Sequence, residues 1–182
     1  MPEKSQQAEP ILNIVVTGAF STGKSTFIDT IGKKGLQFSD RYEVNGDVLG
    51  VHFSVLTFEG DDGKLYEIHF LTTPGSRRLD AMWLFLEERA ATFVVMINSV
   101  HPETFRESKS IIETFKIYAP CPFVIAANMQ DKYGAWDTEA LRIALRIPDE
   151  IPVVPCIATD KQSVINVLIA LCEEVLKDID DE

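Results

Sequence analysis

A chain of 182 residues is long enough to bury one sizeable core and short for two. Apolar residues make up 46% and charged residues 25%, a balance that excludes a disordered polypeptide. The formal charge of −11 argues against a protein that grips nucleic acid through a basic surface, but leaves a nucleotide ligand open, because one lysine and a few backbone N–H groups can hold phosphates locally.

The opening residues 1–10, MPEKSQQAEP, have no apolar signal region and read as a flexible tail. ILNIVVT (11–17) is a nearly continuous apolar run, as in a strand buried on both faces. Gly18 to Ser25 forms a glycine-bounded loop, and 24–34 reads as a helix ending near Gly35. Residues 36–50 lack a clear period and read as an exposed loop. VHFSVLTF (51–58) and KLYEIHFL (64–71) flank EGDDG, a hairpin signal, followed by a turn at 72–76 and a short helix around 80–89.

TFVVMINS (92–99) is a second buried strand, and 102–117 a helix with Pro102 at its start. PFVIAAN (122–128) is a strand, 137–145 a helix, and IPVVPC (151–156) a short strand. The last helix, 161–178, carries apolar residues at 164, 165, 168, 169, 171, 172, 175 and 176. Strands alternating with helices predict a three-layer α/β domain over 11–179: a mostly parallel sheet of about six strands, one antiparallel edge strand, and helices on both faces. Residues 180–182 are an acidic end without a lipidation cysteine, and no stretch approaches transmembrane length. Cys121, Cys156 and Cys172 lack disulfide or metal-ligand spacing, which fits a reducing, cytoplasmic setting.

GAFSTGKS (18–25) matches G-x-x-x-x-G-K-[ST] in full, after a buried strand and at the head of a helix, the context of a P-loop NTPase. A chance glycine-rich turn would lack that context. The motif makes Gly18, Ala19, Phe20, Ser21, Thr22, Gly23, Lys24, Ser25 and Thr26 candidates for nucleotide binding. Lys24 is expected to reach the β- and γ-phosphates and stabilise developing charge, and the Ser25 hydroxyl to ligate Mg2+.

The remaining landmarks follow in the order found in small Ras-like GTPases, which the chain resembles over roughly 11–178. NMQD (128–131) ends a strand where those proteins carry N-K-x-D. The resemblance implies that Asp131 accepts hydrogen bonds from guanine N1 and N2, that Asn128 steadies loop and base, and that Met129 replaces a lysine stem lying along the base. CIATD (156–160) is similar to the last guanine-binding loop, with Cys156 and Ile157 leading to Ala158, whose N–H would approach guanine O6. Loop capping is the plainer role open to Asn128 and Asp131.

TTPG (72–75), in place of D-x-x-G, resembles the prokaryotic MglA-like branch, cytoplasmic polarity or signalling switches often paired with roadblock-domain regulators. Thr72 supplies no carboxylate but can hydrogen-bond a water on Mg2+. Gly75 is placed to offer its N–H to a γ-phosphate, and Ser76 stands where relatives usually carry a water-orienting glutamine. Arg77, Arg78 and Arg41 are candidate electrophilic groups or plain surface charges. No threonine lies between Thr30 and Thr57, so the first switch offers only Asp47 and the backbone around Val48.

These departures imply a guanine-nucleotide switch that binds GTP and GDP with Mg2+, hydrolyses slowly, and relies on a regulatory or effector protein. The alternative is a pseudo-GTPase interaction module that binds nucleotide without significant turnover. A small-molecule kinase is disfavoured by NMQD. His52, His69, His101, Asp61 and Asp62 read as structural or surface residues. Trp83 and Phe85 pack the sheet or border a partner site.

Overall fold

The computed structural model describes residues 9–32, 39–44, 47–72, 92–118 and 121–180. Seven strands form one sheet: β1 (Glu9–Gly18), β2 (Ser39–Val44), β3 (Asp47–Glu59), β4 (Leu65–Thr72), β5 (Thr92–Asn98), β6 (Phe123–Asn128) and β7 (Val153–Pro155). Their spatial order is β2-β3-β4-β1-β5-β6-β7. The described helices are α1 (Lys24–Ile31), α2 (Phe105–Tyr118, entered through a 3-10 turn at Pro102–Thr104), α3 (Thr138–Leu145) and α4 (Lys161–Asp180).

Alternating side chains on the central strands divide two cores. Ile14, Val16, Val94, Met96, Val124 and Ala126 face one side and pack against Phe27, Ile28 and Ile31 of α1 and Val164, Val167, Leu168 and Leu171 of α4. Val15, Phe93, Val95, Ile97, Ile125 and Ala127 face the other, against Phe105, Ile111 and Ile112 of α2 and Leu141 and Leu145 of α3. Every residue of β5 is buried, because helices cover it front and back. This is the expected three-layer α/β arrangement.

The expected sheet differs at its margin. Among the described residues it holds seven strands where about six were expected, and the antiparallel strand is not at the edge. β3 runs antiparallel to β4, and β2, from the stretch read as a loop, pairs antiparallel outside β3 from Ser39↔His52 to Val44↔Asp47. A strand at the sheet's margin needs no apolar period, so periodicity passed over it. The Asn45-Gly46 dipeptide between the two strands, itself outside the described residues, is a turn signal that would have found it.

Element ends also moved. β1 begins at Glu9, inside the stretch read as a tail. α1 stops at Ile31 because Gly32 passes against β3, where a Cβ would stand 1.9 Å from Ser54 Oγ. On α4, Val167 joins the buried face, whereas Ile169, Cys172 and Leu176 are exposed, so the apolar stripe read from sequence was too wide. The expected helix at 80–89 and the turn after Thr72 lie outside the described residues. Among the described residues, no helix is long and apolar enough to cross a membrane.

Candidate functional site

The strand order turns at β1, which has β4 on one side and β5 on the other. In open parallel sheets such a turning point opens a ligand crevice beyond the carboxyl ends of the strands. Gly18 ends β1, Thr72 ends β4, Asn98 ends β5 and Asn128 ends β6, so the sheet delivers four sequence-distant residues to one rim.

From Gly18 to Gly23 the chain makes a tight loop with left-handed φ at Gly18 (142°), Ser21 (59°) and Gly23 (93°). A Cβ on Gly18 would stand 2.3 Å from the Met96 carbonyl oxygen, and one on Gly23 would stand 2.5 Å from Asn128 Nδ2. Lys24 folds back over this loop, its Nζ donating to the carbonyls of Gly18 (3.0 Å) and Ala19 (2.9 Å). Thr22, fully buried, donates its hydroxyl to Ala19 O at 3.0 Å.

The first helical bond runs from Phe27 N to Gly23 O (2.9 Å), leaving the N–H groups of Lys24, Ser25 and Thr26 without intrahelical partners. No side chain caps this end, and its first turn carries no acidic residue, which suits it to an anion. Burial pulls the Lys24 ammonium below the usual lysine range, and the Glu107 carboxylate opposes that shift. An arriving phosphate would likewise favour the charged form. Ser25 and Thr26 are exposed, as are Phe20 and Ser21.

Two asparagines tie this loop to its surroundings. Asn128 donates Nδ2 to Thr22 O (2.8 Å), while its Oδ1 accepts from Ala158 N (2.8 Å). Asn98 donates Nδ2 to Ser21 O (3.0 Å) and accepts from Val100 N (3.1 Å). Thr30 of α1 donates its hydroxyl toward Ala158 O (2.6 Å), adding a link to the last loop.

Beyond Asn128 the chain turns at Met129, whose φ is 70°. Gln130 fixes this turn, its N–H donating to Cys156 O (3.2 Å) and its Nε2 to Ser99 Oγ (2.9 Å). The 156–160 loop is held from the α4 side, where Ser163 Oγ accepts from Ile157 N (2.8 Å). Between these segments lies a cavity of about 140 Å³, lined by Gly23, Thr26, Asn128, Met129, Asp131, Lys132, Ile157, Ala158 and Thr159. It joins the glycine loop to NMQD and CIATD.

Asp131 lies 2.8 Å from Lys132 Nζ, and this hydrogen bond holds its carboxyl below the usual carboxylate range. At neutral pH it therefore presents an anionic acceptor. The Ala158 N–H, expected to face a base, is engaged by Asn128 Oδ1. Cys156 is fully buried, and burial pushes its thiol up to about 11, so it acts as packing beneath the loop. Thr72 is buried at the end of β4, in register with Val16 of β1.

Gly75, Ser76, Arg77, Arg78, Trp83 and Phe85 lie outside the described residues. So do the side chains of Arg41, Asp47 and His52, whose backbones belong to β2 and β3. His69 contacts Glu67 (3.1 Å) and His101 contacts Glu103 (2.7 Å). Asp62 accepts from Tyr66 in the hairpin turn. Among the described residues, no group of three or more His, Cys, Asp or Glu could hold a metal.

Sequence reasoning missed Asn98, Thr30, Gln130 and Ser163 as supports of the site. Asn98 had a signal: a polar residue closing a fully apolar strand. Compared with protein-family models and with curated proteins, the chain matches none.

Proposed function

We propose that this protein is a P-loop, Ras-like guanine-nucleotide switch, which binds GDP and GTP with Mg2+ and hydrolyses GTP slowly. The observation that carries the reading is the bridge made by Asn128, which joins the glycine loop at Thr22 O to the last loop at Ala158 N over one continuous cavity. Phosphates belong at the exposed head of α1, and a base belongs between Met129, Ile157 and Ala158, with Asp131 at the rim.

The fit to a nucleotide rests on the uncapped head of α1, where the N–H groups of Lys24, Ser25 and Thr26 have no intrahelical partners. It rests also on Gly23, where a Cβ would stand 2.5 Å from the Asn128 Nδ2 of the bridge. Mg2+ fits as well, because it takes few protein oxygens and completes its shell with phosphate and water. Ser25 would hold it directly and Thr72 through water, and the ion would neutralise phosphate charge. Lys24 adds a cation that its loop carbonyls already orient.

Hydrolysis would add water at the γ-phosphorus and release GDP and phosphate. Ser76 in place of a water-orienting glutamine, and the lack of a threonine between Thr30 and Thr57, favour slow turnover and keep the non-hydrolysing interaction module as the second reading. The resemblance adds a cytoplasmic setting and a protein regulator of the roadblock-domain kind.

Isothermal titration with GDP, a non-hydrolysable GTP analogue and ADP, each with and without Mg2+, tests the reading. Guanine nucleotides are expected to bind more tightly than ADP, and Asp131→Ala to erase that preference. Absence of binding to folded wild-type protein would overturn it. Phosphate release from GTP by the wild type separates the switch from the module.

A further inference from the structure

We infer that Asn98 is a positioning residue that holds the phosphate-binding loop in its binding shape, an inference that rests on the nucleotide reading above. Asn98 and Asn128 close adjacent strands β5 and β6 and are paired in register. They are 1% and 3% exposed. Their Nδ2 groups donate to consecutive loop carbonyls, those of Ser21 and Thr22, at 3.0 and 2.8 Å. Two parallel strands thus present two matching latches to one loop.

The latches differ in what lies behind them. Asn128 runs on to Ala158 and the base side of the cavity. Asn98 runs back into its own turn through Val100 N. That turn is anchored independently: Ser99 N donates to Asn128 O (3.1 Å), and Trp136 N donates to Ser99 O (2.9 Å). Asn98 therefore braces the phosphate loop without lining the base cavity.

The brace falls where the loop needs it. Ser21 holds a φ of 59°, left-handed backbone that a residue with a Cβ adopts only at a cost. Its carbonyl accepts the Asn98 hydrogen bond, which stabilises that conformation and with it the direction of the following amides. Removing the bond lets Ser21 leave the left-handed region, and the loop ceases to be preorganised for phosphate.

The test compares wild type, Asn98→Ala and Asn98→Ala/Ser21→Gly by titration with GDP and with guanosine, which has the base and no phosphate. Hydrogen exchange across 18–25 in ligand-free protein reads the loop directly. Asn98→Ala should weaken GDP by about tenfold, the range of one buried hydrogen bond, leave guanosine unchanged, and speed exchange in the loop. Glycine at 21 accepts left-handed φ freely, so the double variant should recover part of the GDP affinity.

GDP affinity equal to wild type, or equal losses for GDP and guanosine, would overturn the inference. Unchanged loop exchange would overturn it even where the variant is less stable overall. Wild-type protein that binds neither ligand would instead sink the nucleotide reading, and this inference with it.

Discussion

Replacing Gly23 by alanine attacks the site at its tightest point, and its effect can be worked out from two local terms. Gly23 holds a φ of 93°, which costs a residue with a Cβ about 1–2 kcal/mol. The new methyl would stand 2.5 Å from Asn128 Nδ2, so Asn128 must move away from Thr22 O and Ala158 N. Each of those bonds contributes about 0.5–1.5 kcal/mol. Together the terms reach about 3 kcal/mol, equivalent to roughly a hundredfold in affinity.

Where that energy appears depends on whether the loop yields. A loop that keeps its shape loses folding stability, and a loop that relaxes loses ligand affinity. Gly63→Ala supplies the control, because Gly63 also has positive φ (74°) but has nothing within 4 Å of a new Cβ. Urea unfolding and GDP titration of both variants separate the terms. Gly63→Ala should cost about 1 kcal/mol of stability and no affinity. If Gly23→Ala binds GDP like wild type and is no less stable than Gly63→Ala, the bridging role of Asn128 is refuted.

GDP affinity should fall as pH rises through the lowered Lys24 range, below the ordinary lysine value of 10.5, since only the ammonium attracts phosphate. Lys24→Met should bind weakly throughout and lose that pH dependence, as titration across alkaline pH would show. In the native protein a thiol reagent should label exposed Cys172 before buried Cys156, with the difference vanishing in denaturant; mass spectrometry reads both sites. Phe27→Ala, at a fully buried position of α1, should cost about 3–5 kcal/mol in urea unfolding, because the rigid sheet beneath cannot close the cavity.

The glycine loop was legible because its spacing is dictated by local backbone geometry: Gly18 and Gly23 occupy positions that exclude a Cβ. The central strands were legible for a related reason, since burial on both faces leaves uninterrupted apolar runs such as TFVVMIN. β2 was not legible from periodicity, because a marginal strand is held by main-chain bonds and needs no apolar alternation. Its one signature lies in the Asn45-Gly46 dipeptide that follows it. The braces at Asn98, Thr30 and Ser163 escaped as well. Thr30 and Ser163 are ordinary polar residues until the fold brings them to the last loop. The polar end of an apolar strand at Asn98 does not say which carbonyl it reaches, here that of distant Ser21. The hydrogen bond from the Ala158 N–H to the Asn128 side chain was not legible either, since it joins two segments thirty residues apart.

The in-register ends of β5 and β6 also bear on the order of folding. β1 finds its neighbours only after β4 and β5 have been made, through pairs such as Val16↔Thr72 and Gly18↔Met96. The loop that follows β1 gains its latches later still, when β6 and the 156–160 turn arrive. Contacts of such long sequence separation form late, because the chain entropy of closing them must first be overcome. The earliest segment of the site is therefore finished by the latest segments to be synthesised. A ligand that needs the completed site stabilises the native protein after the folding barrier, and so slows unfolding rather than speeding folding.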